Sequence, residues 1–466
     1  MKFINIGLIA SISFFSCAPH SSLLTNKGIP SVKGKINKLI AESDLSVSIG
    51  IKVISVEDDR TLYELNSNKL FMPASNNKLY TCAAALHYLG RDHIFKTTIL
   101  KSNNDLVLKG GGDPDFSIEQ LDSLARTTAE IVEDVNTLYL DATLLDSMQY
   151  GNGWMWDEGS WWYAAPIGAL SVNDNCIDFR VKPGKLGQPA IIDHFPKTEY
   201  ISRLNKTTTV DSNVELKKLK IERDWVGRTN HFLMTGEIAI SDSSDTLQRN
   251  IHDPTLFTGT LFKESLGKYG VQVDQIKIGT KNDELEPIAI HNSDPLLPSA
   301  TNLMNESDNL TAEIFIKVIG RGNKIQGNWK DGLDSVKTLL SDSAGIDTSR
   351  LRLVDGSGVS RYNLTSPDQL TRFLKWSFQS KYKDDFMSTL ATGGNRNGTM
   401  EKRLEREGNL VRAKTGGLSG VSNLSGYIFS PKYGPLAFSI LISGYTGSSY
   451  QAIQLQNKIV QTFVHD

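Results

Sequence analysis

The texture of this 466-residue sequence changes twice, and those two changes constrain its fold more than any single residue does. Up to about residue 94 the chain alternates strand-like and helix-like segments. Between roughly 95 and 290 it breaks into short β-type runs (97–100, 106–108, 138–140, 177–181, 216–221 and 232–240) punctuated by Gly, Asn, Asp and Pro. From about 291 helical periodicity returns at Leu310, Ile314, Phe315 and Val318, and the chain closes with apolar runs over 424–429 and 436–442 and a helix from about 449. A chain this long exceeds the usual limit of one hydrophobic core. The pattern predicts an α+β domain built from residues 31–94 and 291–466 and interrupted by a strand-rich insertion over 95–290.

Within the first half-domain, Ile36, Leu39 and Ile40 recur at helical spacing, and Val47, Ile49, Ile51 and Val53 alternate as in a strand. Asp58-Asp59 reads as a turn, and Leu62 to Leu65 as the return strand of a hairpin. From Ser75 the pattern becomes Leu79, Cys82, Ala83, Leu86 and Leu89, closed by Gly90: a helix with a C-terminal glycine cap.

The first 17 residues read as an export signal: Met1-Lys2 carries one positive charge, residues 3–15 are apolar, and Ser16-Cys17 follows. Phe14-Phe15-Ser16-Cys17 resembles a lipoprotein signal, in which the cysteine becomes the acylated first residue, although Phe14 stands where Leu or Val is usual. The expectation is an exported, periplasmic protein tethered to the membrane by lipidated Cys17, with 18–30 as the tether; removal of Cys17 with an ordinary signal peptide is the alternative. Cys82 and Cys176 are then too few for a disulfide framework and are expected to be small buried hydrophobes.

Lys and Arg total 50 against 52 for Asp and Glu, so no basic excess exists to neutralise a nucleic-acid backbone, and nucleic acid is excluded as a partner. The 8 histidines show no metal-ligand spacing such as HExxH, so no metal and no cofactor are expected. The glycines of 110–112 lack the Lys-Ser or Lys-Thr of a phosphate loop.

Three short elements carry chemistry: Ser75-Asn76-Asn77-Lys78, Ser307-Asp308-Asn309 and Lys414-Thr415-Gly416. SxxK recurs at Ser265 and Ser380, but only Ser75 opens a well-patterned helix. Residues three apart on a helix share a face, so the Lys78 amine reaches the Ser75 hydroxyl and the pair can act as base and nucleophile. That requires a neutral Lys78, which burial and a second cation favour; Lys414 is the candidate cation. The helix N-terminus offers the Ser75 N–H to a developing oxyanion, and the Gly417 N–H is the candidate second donor. Ser307 can relay a proton to the leaving nitrogen, Asn309 can hold a substrate amide, and Thr415 with Lys414 can bind a terminal carboxylate.

In this order the three elements are the signature of class A β-lactamases and penicillin-binding proteins. Longer stretches resemble the D-alanyl-D-alanine carboxypeptidase/endopeptidase family of the penicillin-binding protein 4 type: FMPASNNKLYT (71–81), GGGDPDFS (110–117), YAAPIGALSVNDN (163–175), ESDNLTAEIF (306–315), DGSGVSRYN (355–363), GGNRNGTMEKRL (393–404) and AKTGGLSGVSNLSGY (413–427). The resemblance implies a penicillin-recognising, β-lactamase-like domain, an antiparallel sheet flanked by helices with a helical lobe, carrying the insertion between SxxK and SxN. It implies hydrolysis of D-alanyl bonds in peptidoglycan stem peptides through an acyl-enzyme, with β-lactams as covalent inhibitors. Two departures stand out: Gly417 where relatives often have Ser or Thr, and Asn397-Gly398-Thr399 where a DGT-like stretch is usual. By the same resemblance Asp157 or Glu158, with Glu158 the better positional match, contacts the amino group of a diaminopimelate residue.

Other readings weigh against these. A β-lactamase or esterase shares the constellation, but the size of the insertion argues against it, and a non-catalytic wall-binding protein has no need of Ser75, Lys78, Ser307, Asn309 and Lys414 together. Asp355-Gly356-Ser357-Gly358 reads as turn punctuation rather than machinery. Trp154, Trp156, Trp161 and Trp162 are expected to be buried between strands.

Overall fold

A computed structural model of the chain describes residues 27–281 and 284–465. Cys17, the expected lipidation site, lies outside the described residues.

Seven strands form the main sheet, in the order Lys27–Gly28, Thr61–Leu65, Ser48–Ser55, Gly434–Ser443, Val421–Ser430, Val411–Leu418 and Ala391–Thr392, with antiparallel pairing throughout. Both faces are buried, and the period-2 pattern divides the residues between them. Leu436, Phe438, Ile440 and Ile442 face the helices Pro30–Glu42 and Tyr450–Val464, whereas Ala437 and Leu441 face the helical lobe containing Lys78–Tyr88, Leu296–Asn305, Asn309–Arg321, Trp329–Asp342 and Pro367–Gln379. The first long strand therefore bonds the last one at the centre of the sheet.

Between these halves lies a second body with its own core. Its largest sheet has five strands, ordered Gln272–Ile278, Asp134–Asp141, Asp105–Lys109, Lys96–Ser102 and Glu286–Asn292. The chain enters on Lys96–Ser102 and leaves on Glu286–Asn292, which pair directly, Lys96 against Asn292. Three smaller sheets complete it. It also holds two helices absent from the strand-rich expectation. Ile118–Ala129 starts at a capping box in which Ser117 and Gln120 bond each other's backbone, and Pro254–Lys268 starts with an Asp253 cap and a proline in its first turn. Their apolar faces, Leu121, Leu124 and Ala125 on one and Phe257, Leu261 and Leu266 on the other, join the second core.

Cys82 and Cys176 are buried and unpaired, as their isolation in sequence implies. The tryptophans depart from expectation. Trp156 is 76% exposed, Trp161 44% and Trp162 41%, and Trp154 is half-buried with its indole N–H on Asp355 Oδ2 at 3.0 Å. Trp162 borders the cleft, Trp156 packs against Trp225, and Trp161 lies under the guanidinium of Arg249, 4.4 Å away, rather than between strands.

Candidate active site

Ser75 lies in a single 3₁₀ turn, Ala74–Asn77, that feeds the helix Lys78–Tyr88. Three residues per turn put Ser75 and Lys78 in line, more directly than an α-helix would. Lys78 Nζ stands 3.1 Å from Ser75 Oγ, 2.6 Å from Asn309 Oδ1 and 2.9 Å from the Ser357 carbonyl. Its three donors thus have three acceptors in a fully buried position.

The two asparagines between Ser75 and Lys78, which have no role in the sequence reading, hold the turn from opposite sides. Asn76 donates to the Lys414 carbonyl at 2.9 Å and accepts from Ser425 Oγ at 2.6 Å; Asn77 donates to the Asp355 carbonyl at 2.8 Å. Asn423 adds bonds to the carbonyls of Met72 and Pro73. Two glycines permit this closeness. A Cβ on Gly416 would lie 2.8 Å from the Pro73 carbonyl oxygen, and one on Gly358, where φ is +87°, would lie 1.9 Å from that of Ala74. Ala74 at φ +47° and Ser307 at φ +66° are themselves left-handed, a conformation that non-glycine residues hold only where the surroundings enforce it.

The SxN element sits at the start of Asn309–Arg321. Asp308 caps that helix, accepting from the N–H groups of Leu310 and Thr311 at 3.1 and 2.7 Å. Asn309 donates to the Tyr163 carbonyl at 2.7 Å, so its first task is to bridge Lys78 to the second body rather than to wait for a substrate. The Ser307 hydroxyl bonds none of the described residues and borders the cleft. Lys414, Thr415, Gly416 and Gly417 lie on Val411–Leu418, whose outer edge is paired by Ala391–Thr392 only at Arg412 and Ala413. From Lys414 onward that edge lies open along the cleft.

Burial draws the Lys78 amine down to about 8, against the pull of the Asp308, Glu313 and Asp355 charges, which favour its protonated form. Lys414 is also held well below 10.5, by burial first and the Lys78 charge second. Burial is thus the leading cause at both amines, and the like charges of Lys78 and Lys414 disfavour each other in the same pocket.

Glu313 is not singled out in the sequence reading, and Asp355 and Ser357 stand there only as turn residues. Glu313, four residues after Asn309 and on the same helix face, is fully buried and takes the N–H groups of Gly356 and Ser357 at 2.8 Å each and the Trp329 indole at 2.7 Å. Asp355 accepts from the N–H groups of Gly358 and Ser360 at 2.8 and 2.6 Å. Together they fold the 355–358 segment so that the Ser357 carbonyl meets Lys78, which places that segment in the site rather than among plain turns. A buried Glu in an apolar helix face was the available signal.

One cleft of 980 Å³ is bordered by Ser75, Ser307, Asn309, Thr415, Gly416 and Gly417, and Asp157 and Glu158 form part of its far wall. Tyr163 donates its hydroxyl to Glu158 Oε2 at 2.6 Å, whereas Asp157 is exposed and makes no ion pair with a described residue. Among the described residues no cluster of His, Cys, Asp and Glu suits a metal ion, and no helix is long and apolar enough to cross a membrane. The arrangement can acylate a serine: a nucleophile, an adjacent amine with lowered proton affinity, and an open strand edge to align an extended peptide.

A profile of the D-Ala-D-Ala carboxypeptidase 3 (S13) family matches residues 32–463. The D-alanyl-D-alanine carboxypeptidase of Actinomadura sp. (strain R39) is 34% identical over 434 residues, covering 87% of this chain and 79% of the relative. Penicillin binding protein 4 (dacB) from Haemophilus influenzae superposes with a TM-score of 0.80 at 23% identity, over 91% of this chain and 98% of that one. The structure of that protein complexed with a β-lactam gives 0.76 at 22% identity, over 92% and 100%.

Proposed function

The chain belongs to the D-Ala-D-Ala carboxypeptidase 3 (S13) family and is a serine-type D-alanyl-D-alanine peptidase of peptidoglycan, and from that premise we propose which of its atoms carry each step. Ser75 Oγ attacks the carbonyl of the penultimate D-Ala while neutral Lys78 takes its proton. The contact of 3.1 Å between Lys78 Nζ and Ser75 Oγ is the observation that carries this reading. The oxyanion is held by the N–H groups of Ser75 and Gly417. Ser307 passes a proton to the leaving nitrogen, the C–N bond breaks, and water then hydrolyses the Ser75 ester. The same serine is acylated by β-lactams, in keeping with the β-lactam complex of the Haemophilus relative.

The same chemistry opens D-alanyl crosslinks when the leaving amine belongs to a second stem peptide. In this reading Asp157 or Glu158, both of which line the same cleft, meets the diaminopimelate amino group. Direct pairing of Lys96–Ser102 with Glu286–Asn292 supports an insertion over 95–290 in a catalytic unit of 31–94 and 291–466. The protein acts outside the cytoplasm, and the Phe14 to Cys17 signal supports a periplasmic lipoprotein anchored at Cys17; the intact mass of the mature N-terminus tests that.

Incubation with purified muropeptides followed by mass spectrometry tests the catalytic reading, with Ser75→Ala as control. Loss of one D-Ala marks carboxypeptidase action, and conversion of dimers to monomers marks endopeptidase action. Full activity in Ser75→Ala would overturn the assignment.

A further inference from the structure

Arg403 borders the same cleft and carries a charge with no counter-ion. Its side chain is 8% exposed, and no described carboxylate pairs with it; burial draws its guanidinium down to about 10. Nε donates to Asn457 Oδ1 at 3.2 Å, and Nη2 donates to Asn457 Oδ1 at 2.9 Å and to Gln456 Oε1 at 2.8 Å. Nη1 bonds none of the described residues. A guanidinium held only by neutral amides in a buried position is costly unless an anion completes it.

Its location says which anion. Gln456, which takes Nη2, donates its own amide to the Ser422 carbonyl at 2.8 Å, and Ser422 is the cross-strand partner of Gly417. Two hydrogen bonds thus connect the guanidinium to the position opposite Gly417. The space beside Gly417 on its strand face is open, since a Cβ there would meet nothing within 4 Å. Thr415, two residues earlier, shares that strand face and borders the cleft. Lys414 turns to the other face and is fully buried, where its environment disfavours a positive charge.

We propose that Arg403, through Nη1 and with the Thr415 hydroxyl beside it, receives the carboxylate on the substrate carbon that bears the leaving nitrogen. Both a terminal D-Ala and the D-centre of a crosslinked diaminopimelate carry a carboxylate there, so one anchor serves both cleavages. It replaces Lys414 as the cationic partner of that carboxylate. The inference rests on Ser75 as the acylated serine.

The test compares a diacyl-D-Ala-D-Ala peptide with the same peptide ending in D-alaninamide, using the unchanged protein, Arg403→Gln and Arg403→Lys, with intact-mass detection of the Ser75 adduct and thermal melts. The expected result is a KM for the free acid raised about tenfold or more in Arg403→Gln, as for loss of a charged hydrogen bond. The amide should be cleaved as before, and Arg403→Lys should recover part of the loss. Equal losses on acid and amide, or none on either, would overturn the anchor. If Arg403→Gln does not fold, the acid-to-amide ratio of Arg403→Lys decides instead: a reduced ratio supports the anchor and an unchanged one overturns it. Absence of a Ser75 adduct in the unchanged protein overturns the acylation reading and the anchor with it, whereas an adduct with equal losses overturns the anchor alone.

Discussion

Glu313 and Ser357 are joined so that one fixes the other's outward face: Glu313 Oε1 takes the Ser357 N–H at 2.8 Å, and the Ser357 carbonyl takes the Lys78 amine at 2.9 Å. Glu313→Gln puts an amide NH₂ where two N–H groups already point. Stability should fall by about 1–3 kcal/mol. Acylation of Ser75 by a fluorescent penicillin should slow, and unchanged stability and labelling would show that the carboxylate is dispensable.

Lys78 must be neutral to accept the serine proton, and burial lowers its pKa to about 8. Acylation should therefore rise with pH through about 8 and level off above it. Asn309→Asp would place a carboxylate 2.6 Å from the amine, holding the proton more tightly. Its rate profile should move to higher pH. A pH-rate series on both proteins decides this, and coincident profiles would exclude Lys78 as the base.

Gly358→Ala would force a Cβ to 1.9 Å from the Ala74 carbonyl oxygen at a φ of +87°. Left-handed strain and the clash together should cost about 2 kcal/mol or more. Because the clash falls on the residue before Ser75, labelling should drop even in molecules that remain folded at low temperature.

Asp174 is solvent-exposed yet crowded by Asp308, Asp115 and Asp178, and desolvation in that crowd foremost, then those charges, raise its pKa from 3.8 to about 7; Asp115 rises to about 6. Between the unfolded and folded values the native state binds more protons than the unfolded chain, so stability falls as pH rises from about 4 to 7. Asp174→Asn, whose side chain tolerates the native φ of +53°, should melt like the parent at pH 4 and higher than it at pH 8. Thermal melts at the two values suffice, and a parallel shift at both would point to packing instead.

Tyr163 already bonds Glu158, while Asp157 has no such partner. Asp157→Asn should therefore raise KM for diaminopimelate peptides more than Glu158→Gln does, and a peptide lacking the free amino group should be insensitive to both. Unchanged cleavage of diaminopimelate peptides by the double variant would remove the contact altogether.

The strands of the central sheet and the Ser75–Lys78 pair were legible in the sequence because their signals are local: alternation marks Ser48–Ser55, an apolar run marks Gly434–Ser443, and a three-residue spacing marks the pair. What it hid is long-range. Nothing near residue 313 says that its carboxylate folds the backbone at 356 and 357, and nothing near Asn76 says that Ser425 completes it. The two helices of the second body had local signals, the Ser117 capping box and Asp253-Pro254, which the surrounding β-type runs outweighed. Trp156, Trp161 and Trp162 depart from the expectation because indoles usually favour burial, whereas these sit on a loop carrying Gly151, Gly153 and Gly159 and stay partly open to solvent.

Ser48–Ser55 can find its neighbour Gly434–Ser443 only after nearly the whole chain has been made. Until then the hairpin ending at Leu65 has no sheet to join, and the serine turn that follows it lacks Asn423 and Ser425, the residues that staple it. A chain truncated before residue 434 lacks the strand that joins Ser48–Ser55 to Val421–Ser430, and with it the continuous sheet beneath Ser75.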